Sequence, residues 1–115
     1  TICIQNGISA FKKPGEILFQ EALRVTRPGG KVLFSSYDPG FWSDRLDWFR
    51  LQSQHGLLGE LDEQASGDGV IVCKDGFTST TVSPEEMTAL ARRVGLEARI
   101  HRVDGSSVFC EMVVI

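Results

Sequence analysis

Glu21-Ala22-Leu23-Arg24-Val25-Thr26-Arg27-Pro28-Gly29-Gly30-Lys31-Val32-Leu33 is the stretch on which the reading of the fold turns. Its first residues close an amphipathic helix, its Pro-Gly-Gly cannot prolong one, and its last residues open a strand. Upstream, Pro14-Gly15-Glu16 starts the helix. Leu18, Ala22 and Val25 recur at i, i+4 and i+7, Phe19 and Leu23 widen the apolar stripe, and Glu16, Arg24 and Arg27 complement the helix dipole. Downstream, residues Lys31 to Tyr37 contain the unbroken apolar run Val32-Leu33-Phe34, which suits a strand covered on both faces, as in a parallel sheet.

Outward from this junction the punctuation continues. Thr1 to Gln5 reads as a short, uncharged, β-prone strand, followed by Asn6-Gly7, either a hairpin turn or the loop after a parallel strand. Asp38-Pro39 is an N-cap and N1 pair for a second helix that ends near His55-Gly56. Trp42, Leu46 and Phe49 form one row on that helix, and Phe41, Arg45 and Trp48 another. After a loop from Gly56 to Gly67, Val70 to Lys74 and Phe77 to Val82 flank Asp75-Gly76 as a two-residue hairpin. Ser83-Pro84-Glu85-Glu86 is a capping box with Pro at N1. It opens a helix whose buried stripe is Met87, Leu90, Ala91 and Val94 and whose stop is Gly95. Glu97 to Val103 and Ser107 to Ile115 complete the order β-α-β-α-(β-hairpin)-α-β-β, which predicts an α/β fold with an antiparallel addition at its end.

Composition bounds the function. The 115 residues fit one domain, and 42% hydrophobic with 23% charged residues excludes disordered and collagenous classes. Twelve Lys and Arg against fifteen Asp and Glu, a net charge of -3, leave no electrostatic case for nucleic acid. No apolar run approaches the roughly 20 residues of a membrane span. Three cysteines without paired spacing predict reduced thiols and a cytoplasmic setting. No metal is expected, since Cys3, Cys73 and Cys110 are scattered and His55 and His101 form no ligand pair. Gly29-Gly30-Lys31 lacks the frame of a phosphate loop. The first residues, Thr1-Ile2-Cys3-Ile4, already read as core strand, as if the sequence belonged to something larger.

Ile2 to Gly7 as a strand and loop, Glu21 to Leu33 as helix, Pro-Gly-Gly turn and strand, and Ser83 to Leu96 with the terminal hairpin together resemble the C-terminal half of a class I S-adenosylmethionine-dependent methyltransferase. The resemblance covers nearly the whole chain. It implies the C-terminal half of a doubly wound, mostly parallel Rossmann-like sheet with an antiparallel last strand, as a single partial domain over residues 1–115. Residues 40–82 are then an insertion, an aromatic helix and hairpin able to cap a substrate. The family's Gly-rich cofactor loop and ribose-binding acid have no counterpart here, because no G-x-G-x-x-G occurs.

The resemblance also assigns residues. Gln5, Asn6 and Gly7 inherit the loop that lines the reactive end of S-adenosylmethionine, and the alternative is a polar turn without a ligand. Ser35, Ser36, Tyr37 and Asp38 fall at the carboxyl end of the next strand, where doubly wound sheets bind ligands. Tyr37, Asp38 and His55 are candidate bases if the acceptor must lose a proton. Against that role, Asp38 also suits an N-cap and His55 a helix end. Tyr37, Phe41, Trp42 and Trp48 are candidates for a small-molecule acceptor site; Phe41, Trp42, Trp48 and Phe49 also suit a cation cage, but core packing is the stronger reading, since two faces of one helix must bury against something. Two rival functions remain at this point: a non-catalytic interaction module with the same fold, and half of another nucleotide-binding enzyme such as a dehydrogenase. The Thr1–Gln5 strand is expected to be an edge that pairs with a second copy or with an N-terminal half.

Overall fold

Lys31–Tyr37 forms the central strand that its apolar run announces, and the rest of the fold assembles around it. The computed structural model describes residues 1–115. In chain order the elements are β1 (Ile2–Cys3), α1 (Gly7–Ala10), α2 (Gly15–Val25), β2 (Lys31–Tyr37), a 3-10 turn at Pro39–Phe41, α3 (Trp42–Gln54), β3 (Ile71–Val72), β4 (Thr78–Ser79), α4 (Pro84–Arg93), β5 (Arg99–Val103) and β6 (Ser107–Val113). The fold is mixed α/β. A four-stranded sheet has the order β1-β2-β6-β5, and β3 and β4 form a separate pair.

Strand direction and strand pairing give different pictures of this sheet. β1 and β2 are parallel, with Ile2 opposite Leu33, whereas β6 is antiparallel to both β2 and β5. Three of the four strands therefore run one way and the last runs against them, as the order predicts, although only one of the three ladders is parallel. The reason is the tight Asp104-Gly105 turn, which folds β6 back so that it fills the slot between β2 and β5. The carboxyl ends of β1, β2 and β5 still share one end of the sheet, and Tyr37 lies opposite Ser107 there.

The main core lies on one face of the sheet. Val32, Phe34, Val108, Cys110 and Met112 pack with Phe19 and Ala22 of α2, with Met87 and Ala91 of α4, and with Ile8 of α1. Phe19 stacks on Phe34 at 4.5 Å between ring centres. The opposite face carries Leu33, Phe109 and Glu111, all only partly buried. A doubly wound sheet would bury both faces, so that expectation is met on one side only within these residues. Phe19 is wholly covered, and Val25 points to solvent although it fits the helical stripe.

Three local details also differ. β1 is two residues long, because the chain turns left-handed at Gln5 and Asn6, one residue beyond it. The β3–β4 turn spans three residues, Lys74-Asp75-Gly76, closed by Cys73 N to Phe77 O at 2.9 Å. Gly76, at φ +95, takes the left-handed place that such a loop requires. Ser83 Oγ accepts from Glu86 N at 3.1 Å, so α4 has the N-cap half of the capping box, without the return bond from Ser83 N to the Glu86 carboxylate.

A second, smaller core holds the insertion together: Phe49, Leu61, Ile71 and Cys73, with Tyr37, Trp42, Leu46 and Leu58 packed against them. No helix is long and apolar enough to cross a membrane.

Candidate functional site

The two strand-end loops meet at the carboxyl end of β1 and β2. Gln5 and Asn6 adopt φ of 55 and 61, a conformation that is uncommon outside glycine and that costs on the order of 1–3 kcal/mol where the side chain does not favour it. Hydroxyls from β2 stabilise the turn. Ser35 Oγ accepts from Gln5 N at 2.9 Å, and Ser36 Oγ donates to Asn6 Oδ1 at 2.7 Å while accepting from Val82 N at 3.0 Å.

Asn6 is buried and its side chain is fully engaged. Its Nδ2 donates to Thr80 O at 2.7 Å, and its Oδ1 also accepts from Ser9 Oγ at 3.1 Å. It ties the strand-end loop to the residues after β4 and offers no free donor to a ligand. Gly7 has little space: a Cβ there would lie 2.9 Å from Cys3 Sγ. Gln5 is different, exposed and with an unbonded side-chain amide.

Three cavities surround Tyr37. The largest, about 450 Å³, lies between α1 and the β3–β4 hairpin and is bordered by Gln5, Asn6, Lys12, Tyr37, Phe49 and Phe77 among others. A second, about 400 Å³, is bordered by Gln5, Asn6, Ser35, Ser36, Trp48 and Ser107. A third, about 300 Å³, is bordered by Asp38, Trp42, Arg45, Asp68 and Glu86. Volumes of this size suit small molecules.

Of the candidate bases, Tyr37 borders all three cavities and its hydroxyl bonds to no other residue. Asp38 is committed on both oxygens: Oδ1 caps Gly40 N at 2.9 Å and Oδ2 accepts from Arg102 at 2.7 Å. The Gly40 amide, then Arg102, hold its carboxyl below the usual carboxylate range, which favours a capping anion over a base. His55 is the exposed C-cap residue of α3 and borders none of these cavities.

The aromatic residues divide between packing and exposure. Trp42 and Phe49 pack in the insertion core, Phe41 stacks on Tyr37 at 6.4 Å, and Trp48 is half exposed at the cavity it shares with Gln5. The cation among them is Arg45. Its guanidinium sits 4.6 Å from the Tyr37 ring centre and 5.6 Å from those of Trp42 and Phe49.

Arg45 is the residue whose part the sequence reading missed. It is 1% exposed and forms no ion pair. It donates to Gly69 O at 2.7 Å and to Ser79 O and Oγ at 3.0 Å each, while its Nε is buried without an acceptor. Burial lowers its pKa, yet a guanidinium stays protonated in any ordinary buffer. The available signal was spacing: Trp42, Arg45 and Phe49 stand at i, i+3 and i+7, on one face of α3. No group of three or more His, Cys, Asp or Glu side chains gathers in a metal-binding arrangement. Comparison with known protein families and with curated proteins finds no match to this chain.

Proposed function

We propose that this chain is the C-terminal part of a Rossmann-like, S-adenosylmethionine-dependent methyltransferase that acts on a small-molecule acceptor. The observation that carries this reading is the convergence at one sheet end. Parallel β1 and β2, joined through α2, bring Gln5-Asn6 and Ser35-Ser36-Tyr37 to shared cavities, the place where open α/β sheets bind ligands. The antiparallel last strand is a further point of agreement with the resemblance.

The residues present fit one end of the cofactor. Gln5 has a free amide and the strand-end backbone borders two cavities, whereas Asn6 supports the loop from behind. S-adenosylmethionine supplies an activated methyl group, and the protein's task in an in-line displacement is alignment, which contributes on the order of 7–11 kcal/mol. On the acceptor side, Tyr37 borders both smaller cavities, Trp42 the 300 Å³ one and Trp48 the 400 Å³ one, with Phe41 stacked on Tyr37, and the free Tyr37 hydroxyl is placed to donate or accept a hydrogen bond.

NMR titration with S-adenosylhomocysteine tests the assignment. Shifts concentrated at residues 5–7 and 35–37, with affinity weaker than micromolar, are the expected result. Shifts confined to other regions, or none at saturation of the ligand, refute it. Micromolar calorimetric binding at one site per chain would instead show that these residues hold the whole cofactor.

The alternative, an interaction module, draws on the outer edge of β1. That edge has no partner strand, and Ile2 and Ile4 are 66% and 44% exposed beside it. Either a second copy or an N-terminal half pairs there in this reading. Light scattering that gives a clean monomer at high concentration removes the self-pairing arm.

A further inference from the structure

The cavity between α1 and the β3–β4 hairpin differs in charge from the chain as a whole. The chain carries a net charge of -3, yet none of the eleven residues lining this cavity is acidic, and one, Lys12, is cationic. Lys12 is held in place at the rim. Its Nζ donates to Thr78 O at 2.9 Å and to Thr78 Oγ1 at 3.1 Å, which leaves one of its three donors free. Its backbone is left-handed, at φ 53, so three of the five non-glycine residues with positive φ, Gln5, Asn6 and Lys12, border the same space. Strain of this kind gathers where a site is being shaped.

A second positive charge stands behind the cavity wall. Arg45 touches Tyr37, Phe49 and Ser79, all of which line the cavity, and it has no carboxylate partner. A buried cation without an anion is unfavourable, and an anion brought close to it would offset part of that deficit. On the far side of Arg45, Asp38, Asp68 and Glu86 border the separate 300 Å³ cavity, none of them within ion-pair distance, and Asp38 is already bound to Arg102. The cavity on the Lys12 side has no acidic lining residue, although Asp75 of the adjoining turn accepts from the Phe77 amide, whereas three carboxylates border the cavity on the other side. The aromatic part of the lining comes from Tyr37, Phe49 and Phe77.

From these features we infer that the cavity between Lys12 and the β3–β4 hairpin binds a small organic anion, a carboxylate on an aromatic body. Lys12 meets the carboxylate, and the aromatic rings take the body. The site stands on its own charges and shape, whether or not the chain transfers a methyl group.

Naphthoate and its neutral amide, naphthamide, provide the test, read by heteronuclear NMR on the unaltered chain. Naphthoate is expected to shift the amides of Lys12 and of residues 76–79 saturably, and naphthamide to bind about tenfold more weakly, the scale of one charged hydrogen bond. Lys12→Gln should bring naphthoate down to the affinity of naphthamide. Inorganic phosphate, with charge but no apolar body, should leave these amides unmoved at the same concentration. Equal binding of acid and amide, phosphate binding as tight as naphthoate, shifts confined to the Asp68 and Glu86 side, or no saturable shift at all would each overturn the inference. The acid–amide comparison holds even if the Lys12 variant proves unstable. A negative result here leaves the S-adenosylhomocysteine titration at residues 5–7 unaffected.

Discussion

Arg45→Ala should loosen the insertion while leaving the main sheet folded. The guanidinium donates three short bonds, to Gly69 O at 2.7 Å and to Ser79 O and Oγ at 3.0 Å. Bonds to a charged group contribute roughly 1.5–3 kcal/mol each, and the stacking on Tyr37, Trp42 and Phe49 roughly another 0.5–2 kcal/mol. Opposing this is the desolvation of an unpaired cation, several kcal/mol, which any neutral replacement recovers. The balance for Ala, which also leaves a cavity, is a loss of about 3 kcal/mol. Arg45→Met keeps most of the stem against the three rings and removes the charge, so it should lose about 1 kcal/mol or less. Hydrogen exchange followed peptide by peptide provides the assay. In the Ala variant, exchange should rise over residues 42–54 and 68–82 and stay unchanged over 31–36 and 107–113, because the two cores share no residue. Equal acceleration in both regions, or Met proving worse than Ala, would refute the account of Arg45 as the tie between α3 and the hairpin.

Two further outcomes follow from other residues. Asn6→Ala loses the bonds to Thr80 O, Ser36 Oγ and Ser9 Oγ and must hold alanine at φ 61, so urea unfolding should show a loss of about 3–4 kcal/mol. Asn6→Gly should recover about 1 kcal/mol of that through the backbone alone, and a glycine variant no better than alanine contradicts the strain assignment. Burial raises the Cys110 thiol from about 9 to about 11. The folded state then holds its proton where the unfolded state has lost it, so stability falls as pH rises through this window, by on the order of 2–3 kcal/mol. Cys110→Ala should lack that component of the alkaline slope, and identical slopes for the two proteins would show that the thiol does not contribute.

Some of this protein was decided within a few residues of each position. The end of α2, the start of β2 and the start of α4 follow from Pro28-Gly29-Gly30, from Val32-Leu33-Phe34 and from Ser83-Pro84, whose effects reach no further than one turn or one strand pairing. The candidate loops at Gln5-Asn6-Gly7 and Ser35 to Asp38 were legible for the same reason, since they are strand ends. Local pattern misled where packing was not local. Val25 satisfies the helical period yet lies beyond the face that meets β2, and Asp75-Gly76 reads as a two-residue turn until the Cys73–Phe77 bond makes it three. The place of β6 between β2 and β5 depends on which edges remain open once the other strands have paired, a property of the whole sheet. Arg45 shows the difference most sharply. Its spacing from Trp42 and Phe49 is written in α3, but the carbonyls that make its burial tolerable belong to Gly69 and Ser79, 24 and 34 residues away. A charged side chain enters a core only where distant backbone supplies its acceptors, and only the folded chain brings those acceptors to it.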